Sequence, residues 1–513
     1  MKRLFGRLWA LLKRFVKWEY ASLSVIVLVT LALHLSVVPR PNEPLFDELH
    51  YVKDARVITD NQTTERGEHP PLGKLLIVSG MVVLGDNPWG WRMPSIMFGT
   101  LGIVFFYLMC RRLDLSRRAS NLATFLFAFE NLYFVHAGIA MLDVFTVSFM
   151  LLAFWRYARR DYPLAAVAVA LATLAKFSGL FAIIPIVLHW LIFRRDKKVN
   201  FYASLLLSGL SFTLLLAAFD FVIYRRLVDF VGLLKQGLES TTSLTFETAK
   251  HVSMSRPWEW VVNLEIMPYW YTPHFIGLVS FSVWALIIPT FAYLTFRSFR
   301  KDHAAFFALA WFAGTYLVWI PLNLATNRIS FIFYFLPALG AIILGMGMWM
   351  DRMITFWQGR KHVALAGVPV GAYGHTPLQT TLGVESPGQP ATEDNRLEAI
   401  AGDLQKGPPG FGPGMVSQEA KIEPSAAPVA IIPTETPLAP PVTAKKRRWL
   451  KLRWAAISFV ALVLAVHAAT FIIVAPPLNN WRIDLWAQEI QRRFPLLSPQ
   501  SSSPPSEESQ SSP

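Results

Sequence analysis

Apolar residues in this chain run in long unbroken stretches rather than alternating with polar ones. Segments 21–38, 201–223 and 454–474 are each close to continuously apolar. A bilayer core about 30 Å thick takes roughly 20 helical residues to cross, whereas a membrane barrel shows alternating segments of about ten. The pattern therefore predicts an all-α, polytopic membrane protein of about eleven transmembrane helices. The spans fall at 20–38, 91–110, 119–135, 138–157, 162–176, 177–193, 201–223, 276–296, 304–321, 330–350 and 455–474. A twelfth apolar stretch, from Pro71 to Leu84, is too short to span and reads as an interfacial helix started by Pro70 and Pro71.

Composition agrees, with 53% hydrophobic and 16% charged residues in 513. The net charge of +14 raises nucleic acid as a partner, but most of the 48 Lys and Arg residues lie in seven short clusters between apolar runs. These are 1–17, 111–118, 156–160, 194–198, 297–301, 352–361 and 445–453. They recur at every second connection, which is the positive-inside pattern, so nucleic acid is set aside. The expected arrangement is a multi-pass protein of the cell membrane with a cytoplasmic N-terminus and loops 39–90 and 224–275 outside. Residues 1–19 read as an amphipathic cytoplasmic segment rather than a removable signal. The 20–360 core is followed by a Pro- and Gly-rich cytoplasmic insertion over 361–445, expected to be disordered, a last helix over 446–474 and an extracytoplasmic Ser- and Pro-rich tail over 475–513. The lone Cys110 excludes an internal disulfide and a multi-cysteine metal site.

The candidate chemistry sits in the first outer loop. Phe46-Asp47-Glu48-Leu49-His50-Tyr51 follows the first span closely, and Glu68-His69-Pro70-Pro71-Leu72-Gly73-Lys74 comes later in the same loop. Either alone fits a solvated turn. Outer-facing cations are Arg92, Lys176 and Arg328, for which snorkelling to headgroups competes with binding an anion. Asp143, about one turn inside the fourth span, is costly unless paired and is expected to meet one of these cations, with a helix cap as the plainer role. Trp89, Trp91, Trp258, Trp260, Tyr269, Trp270 and Tyr271 read as an interfacial aromatic belt rather than sugar platforms.

Taken together, these segments resemble the protein O-mannosyltransferase family of the membrane glycosyltransferase C fold, in its short prokaryotic form. The resemblance rests on Asp47-Glu48, His69 to Lys74, Leu142-Asp143, Lys176, Ser255-Arg256-Pro257-Trp258-Glu259-Trp260, and Arg328 with Phe331, Leu336 and Pro337. It departs where Phe333-Tyr334-Phe335 replaces a Tyr-His-Tyr triplet. A Ser-Arg pair before Leu142 is also missing, with His136-Ala137 nearby instead, and 224–275 leaves no room for the large β-rich domain of eukaryotic members.

What the resemblance implies is inverting transfer of a sugar, mannose by analogy, from a polyprenyl-phosphate carrier to a Ser or Thr hydroxyl of protein outside the cytoplasm. Asp47 is the expected base, with Glu48 orienting the loop or acceptor. His69, Lys74, Arg92, Asp143, Lys176 and Arg328 are the expected carrier or substrate contacts. The sequence requires no cofactor and leaves a divalent metal open. The alternatives are a transferase of the same fold acting on a lipid or envelope glycan, and a transporter, although midplane charges and internal repeats are not evident. Because the insertion is read as lying on the far side from the chemistry, deleting 367–444 should leave transfer largely intact in a well-folded protein. A complete loss of activity in that deletion would overturn this reading.

Overall fold

The computed structural model describes residues 19–365 and 444–478, apart from scattered positions between 227 and 273. The chain divides into two units, 1–360 with 451–513, and 361–450, and the first carries everything that follows. Nearly all of the amphipathic segment read over 1–19, nearly all of the 361–445 insertion and most of the tail from 475 lie outside the described residues.

Helices stand at all eleven predicted positions. The first half contains α1 (Ala21–Val37), α2 (Glu48–Asn61), α3 (Pro71–Leu84), α4 (Pro88–Arg112), α5 (Arg117–Ala128), α6 (Asn131–Gly138), α7 (Leu142–Ala158) and α8 (Tyr162–Ala175). A 3-10 turn leads from α8 to α9 (Ile183–His189), followed by α10 (Lys198–Tyr224). The second half holds a hairpin of β1 (Ile266–Tyr271) and β2 (His274–Leu278), then α11 (Ile287–Phe299), α12 (His303–Phe312), α13 (Trp319–Thr326), α14 (Leu336–Leu365) and α15 (Ala444–Val474). By length and apolarity, six helices among the described residues can cross a membrane, or seven if α6 and α7, bent by 112°, form one span. The count of eleven is not reached on that measure, because α1, α5, α8 and α11, with 17, 12, 14 and 13 residues, fall short of 18.

Two predicted spans differ in their boundaries. The stretch 119–135 breaks at Glu130, whose buried carboxylate caps α6 by accepting from Tyr133 N at 2.8 Å and also accepts from Ser280 N at 2.8 Å. Asn131 Oδ1 accepts from Leu278 N at 3.1 Å, so the break doubles as the dock for the hairpin. The span expected over 276–296 is shortened for the same reason, since β2 occupies its first residues and α11 starts only at Ile287. The hairpin is antiparallel, pairs Ile266 with Leu278, and is irregular between Pro268 and Trp270, where proline cannot donate to the ladder.

The first outer loop is itself helical. α3 begins where Pro71 stands at its first position, as expected, and lies against α4 so closely that a Cβ on Gly80 would come within 2.2 Å of Gly90 O. The core below joins Phe106, Phe127, Phe154 and Trp311, with Phe106 stacked on Phe127 at 4.4 Å and Phe154 edge-on to Trp311 at 4.9 Å.

One ion pair organises the entry to this loop. Glu48 is 0% exposed and Arg92 is 1% exposed. Arg92 donates from Nε and Nη2 to the two carboxylate oxygens, each at 2.9 Å. Its remaining N–H groups go to the carbonyls of Val38, Pro41 and Glu43. Glu48 also accepts from Leu45 N at 3.1 Å and Ala140 N at 2.9 Å. The pair thus ties the end of α1, the start of α2, α4 and the α6–α7 turn together. Removing one partner of such a buried pair leaves an uncompensated charge and costs about 3–5 kcal/mol. Glu48→Gln should therefore lower the unfolding temperature of the purified protein markedly, and an unchanged unfolding temperature would remove the pair from this role.

Candidate active site

Asp47 sits one residue before the Glu48–Arg92 clamp, at the N-terminus of α2. Phe46 before it adopts φ +47°, a strained left-handed conformation for a bulky side chain. Its ring is packed against Tyr269 at 5.1 Å and Phe333 at 6.2 Å, which holds the turn in that state. The Asp47 carboxylate does not cap the helix, and it makes no hydrogen bond or ion pair among the described residues. Burial pushes its pKa up to about 6, with Lys176 opposing the rise and Asp143 adding to it.

Lys176 ends α8 in an extended conformation, which turns its side chain out of the helix. Its ammonium donates to Asp143 Oδ1 at 2.8 Å and lies over the rings of Phe333 and Tyr334 at 5.2 and 5.0 Å. Asp143 Oδ2 is buried without a hydrogen-bond partner, and so is Arg328 Nε. Glu68, His69, Lys176, Phe177, Ser178, Trp319, Arg328 and Tyr334 enclose a cavity of about 60 Å³. His69 meets Tyr51 Oη at 3.3 Å, and burial, reinforced by Lys176, Lys74 and Arg328, holds its pKa well below the usual range, so its imidazole is neutral. Among the described residues no group of three or more His, Cys, Asp or Glu is placed to hold a metal ion.

Arg328 reaches this cavity because the two segments that the sequence singled out in the C-terminal half pair with each other. Ser255 N donates to Ser330 O at 3.0 Å, Ser330 Oγ donates to Ser255 O at 2.7 Å, and Trp260 Nε1 donates to Ser255 Oγ at 3.0 Å. Asn323 Nδ2 then holds Arg328 O at 2.7 Å, and Arg256 holds Asn323 Oδ1 at 3.0 Å.

Of the expected contacts, His69, Lys176 and Arg328 line the cavity and Asp143 joins them through Lys176, and of these Lys176 and Asp143 act electrostatically on Asp47. Arg92 and Lys74 do not. All five N–H donors of Arg92 are committed to Glu48 and the three carbonyls, so none is left for a phosphate. Lys74 is 1% exposed. Its ammonium is spent on Thr64 Oγ1, Arg66 O and Asp54 Oδ2 at 2.8, 2.9 and 3.5 Å, fastening the turn that carries His69. Nor do the aromatic residues form one belt, since Trp91, Trp260 and Tyr269 are 4%, 0% and 5% exposed and pack inside. Sequence reasoning missed Tyr334, and it missed the hydrogen bond of 2.8 Å between His136 Nε2 and Tyr269 Oη on the Asp47 side of the hairpin. Only the position of Tyr334 inside a motif segment could have flagged it.

Residues 68–222 match the family model described as dolichyl-phosphate-mannose-protein mannosyltransferase. A polyprenol-phosphate-mannose–protein mannosyltransferase of Mycobacterium tuberculosis is 27% identical over 293 residues, which cover 55% of this chain and 51% of that one. One from Corynebacterium glutamicum is 34% identical over 154 residues, or 28% of this chain and 30% of that one. The chain thus spans about half the length of the first of these relatives, and less of the second. The solved S. cerevisiae protein O-mannosyltransferase complex bound to the sugar donor superposes with a TM-score of 0.57 at 12% identity, over 68% of this chain and 87% of that one, a likeness of fold. The chain is a multi-pass membrane protein with a fold like that of the solved protein O-mannosyltransferase, and over residues 68–222 it is similar to the dolichyl-phosphate-mannose-protein mannosyltransferase family.

Proposed function

We propose that this protein transfers a sugar, mannose by its relatives, from a polyprenyl-phosphate carrier to a Ser or Thr hydroxyl of a protein on the extracytoplasmic side. The observation that carries the reading is the Asp47 carboxylate, unpaired among the described residues, beside a cavity with cations on its wall. The leaving group is a phosphate that departs as a stable anion, so the reaction needs positive charge at the phosphate and a base at the acceptor. Lys176 and Arg328 supply the charge, with Asp143 fixing the Lys176 ammonium and the Tyr334 ring backing it. The Asp47 carboxylate takes the hydroxyl proton as the oxygen attacks the anomeric carbon from the face opposite the phosphate. The carbon–phosphate oxygen bond breaks, and the anomeric centre inverts, because one displacement occurs with no covalent sugar–enzyme intermediate. Glu48 and Arg92 position this base without touching substrate. A cavity of about 60 Å³ has room for roughly two waters, so donor binding widens it.

Labelled polyprenyl-phosphate mannose and a Ser/Thr peptide, given to the purified protein, test the reading. Label is expected on the peptide, and label on lipid or glycan alone would reassign the acceptor. Asp47→Asn should slow transfer by about 10²–10⁴-fold while donor binding persists, and appreciable turnover by that variant would exclude Asp47 as the base. Only the deprotonated carboxylate accepts a proton, and its pKa lies at about 6. Transfer should therefore be near its plateau above pH 7 and fall about tenfold per unit well below pH 6, whereas a flat profile down to pH 4 would contradict a base of raised pKa.

A further inference from the structure

The cavity at Lys176 and Arg328 is rich in hydrogen-bond donors that the described residues leave unused. Arg328 Nε has no partner there, and the Lys176 ammonium makes one hydrogen bond, to Asp143 Oδ1, of the three it can donate. Trp319 lines the same cavity, and its indole Nε1 is likewise buried without a hydrogen-bond partner. An indole N–H can only donate, and most buried polar groups are paired. This one therefore calls for an acceptor that comes from outside the chain.

The ring is held in place from two sides. Trp319 opens α13, just after a π-type turn over Ala313–Leu317 that ends α12. It leans on Tyr334 at 5.0 Å and meets Phe181, in the 3-10 turn before α9, edge-on at 5.7 Å. Tyr334 also backs the Lys176 ammonium at 5.0 Å, so the ammonium and the indole are fixed against one ring. Leu317 and Leu322, close to Trp319 in the chain, are exposed on a stretch long and apolar enough to cross a membrane, which puts lipid beside them. Trp319 thus stands between the cavity and the side from which a lipid-linked molecule arrives.

We infer that the indole N–H of Trp319 donates to a non-bridging phosphate oxygen of the polyprenyl-phosphate carrier, beside Lys176 and Arg328. The inference rests on the proposed reaction. Two cations and a neutral donor on one wall suit a single anion with several acceptor oxygens. A sugar hydroxyl could accept from the indole but would leave the two cations without an anion. A third cation would repel the other two, whereas an indole adds a bond without that repulsion. When the bond between the anomeric carbon and the phosphate oxygen breaks, the oxygen keeps the electron pair, the acceptor proton goes to Asp47, and the phosphate passes from one negative charge to two. The hydrogen bond from Trp319 therefore strengthens along the reaction.

Trp319→Phe keeps an aromatic ring near Tyr334 and Phe181 and removes the N–H. In the full-length protein in detergent, binding of a short-chain polyprenyl phosphate, which carries no sugar, should weaken about tenfold in this variant, in line with one hydrogen bond to a charged group. In transfer assays kcat should fall and the KM for the carrier-linked sugar rise, while the KM for the acceptor peptide stays unchanged, a split that a general loosening of the fold would not give. Equal binding of polyprenyl phosphate by wild type and a folded variant overturns the inference. Weaker binding of the sugar-bearing carrier alone would move the indole to a sugar oxygen and also overturn it. No binding of polyprenyl phosphate by the wild type would instead sink the carrier reading itself. Should Trp319→Phe fail to fold, the wild type with isotopically labelled indole nitrogens decides. One indole N–H resonance should move downfield when polyprenyl phosphate is added, and a spectrum in which none moves overturns the inference.

Discussion

The buried contact between Glu48 and Arg92 is the constraint on which the candidate site depends. A carboxylate and a guanidinium withdrawn from water are stable only when nearly every lone pair and N–H finds a partner, and here the guanidinium spends all five donors. Those partners come from the end of α1, the following turn and the α6–α7 turn, so satisfying one charge fixes several separate pieces of chain. Asp47 inherits its place from this arrangement, because it precedes Glu48 directly and the aromatic packing of Phe46 blocks rotation on the other side.

Around Asp47 the charges divide by task. Arg92 and Lys74 are consumed in holding backbone, one at each end of the loop, whereas Lys176 is turned toward the cavity with a single carboxylate and two aromatic rings for company. Arg328 arrives from more than 150 residues further along, delivered by the pairing of the Ser255 and Ser330 segments. The cavity wall thus carries two cations, Lys176 held by Asp143 and Arg328 with a buried Nε lacking a hydrogen-bond partner, beside the acid Glu68, and the two cations are the electrostatic logic behind the proposed carrier.

Much of the fold was legible because the bilayer imposes a length and a polarity that any spanning helix must show. α4, α10 and the helix at 332–355 could be read from apolar run length alone. The break at Glu130 could not, since an acid in an apolar run signals only that it must be paired, and its partners, Ser280 and Leu278 with Asn131, are some 150 residues away. The same applied to the cations. Arg92, Lys176 and Arg328 look alike in sequence, each near a predicted outer membrane end, and only the count of donors already committed separates the structural arginine from the two that line the cavity. The helix Glu48–Asn61 went unrecognised for a different reason, as its polar surface carries little of the apolar periodicity by which helices are found.

The narrowness of the Lys176–Arg328 cavity bears on fidelity. A phosphate-activated sugar is as open to attack by water as by a serine, and a base able to deprotonate one hydroxyl can deprotonate the other. On the proposed reaction the donor enters a site of only about 60 Å³ and must part its walls, so the space left for water beside the anomeric carbon is set by how closely those walls settle around the sugar. Hydrolysis is then held down to the extent that the bound sugar itself displaces solvent.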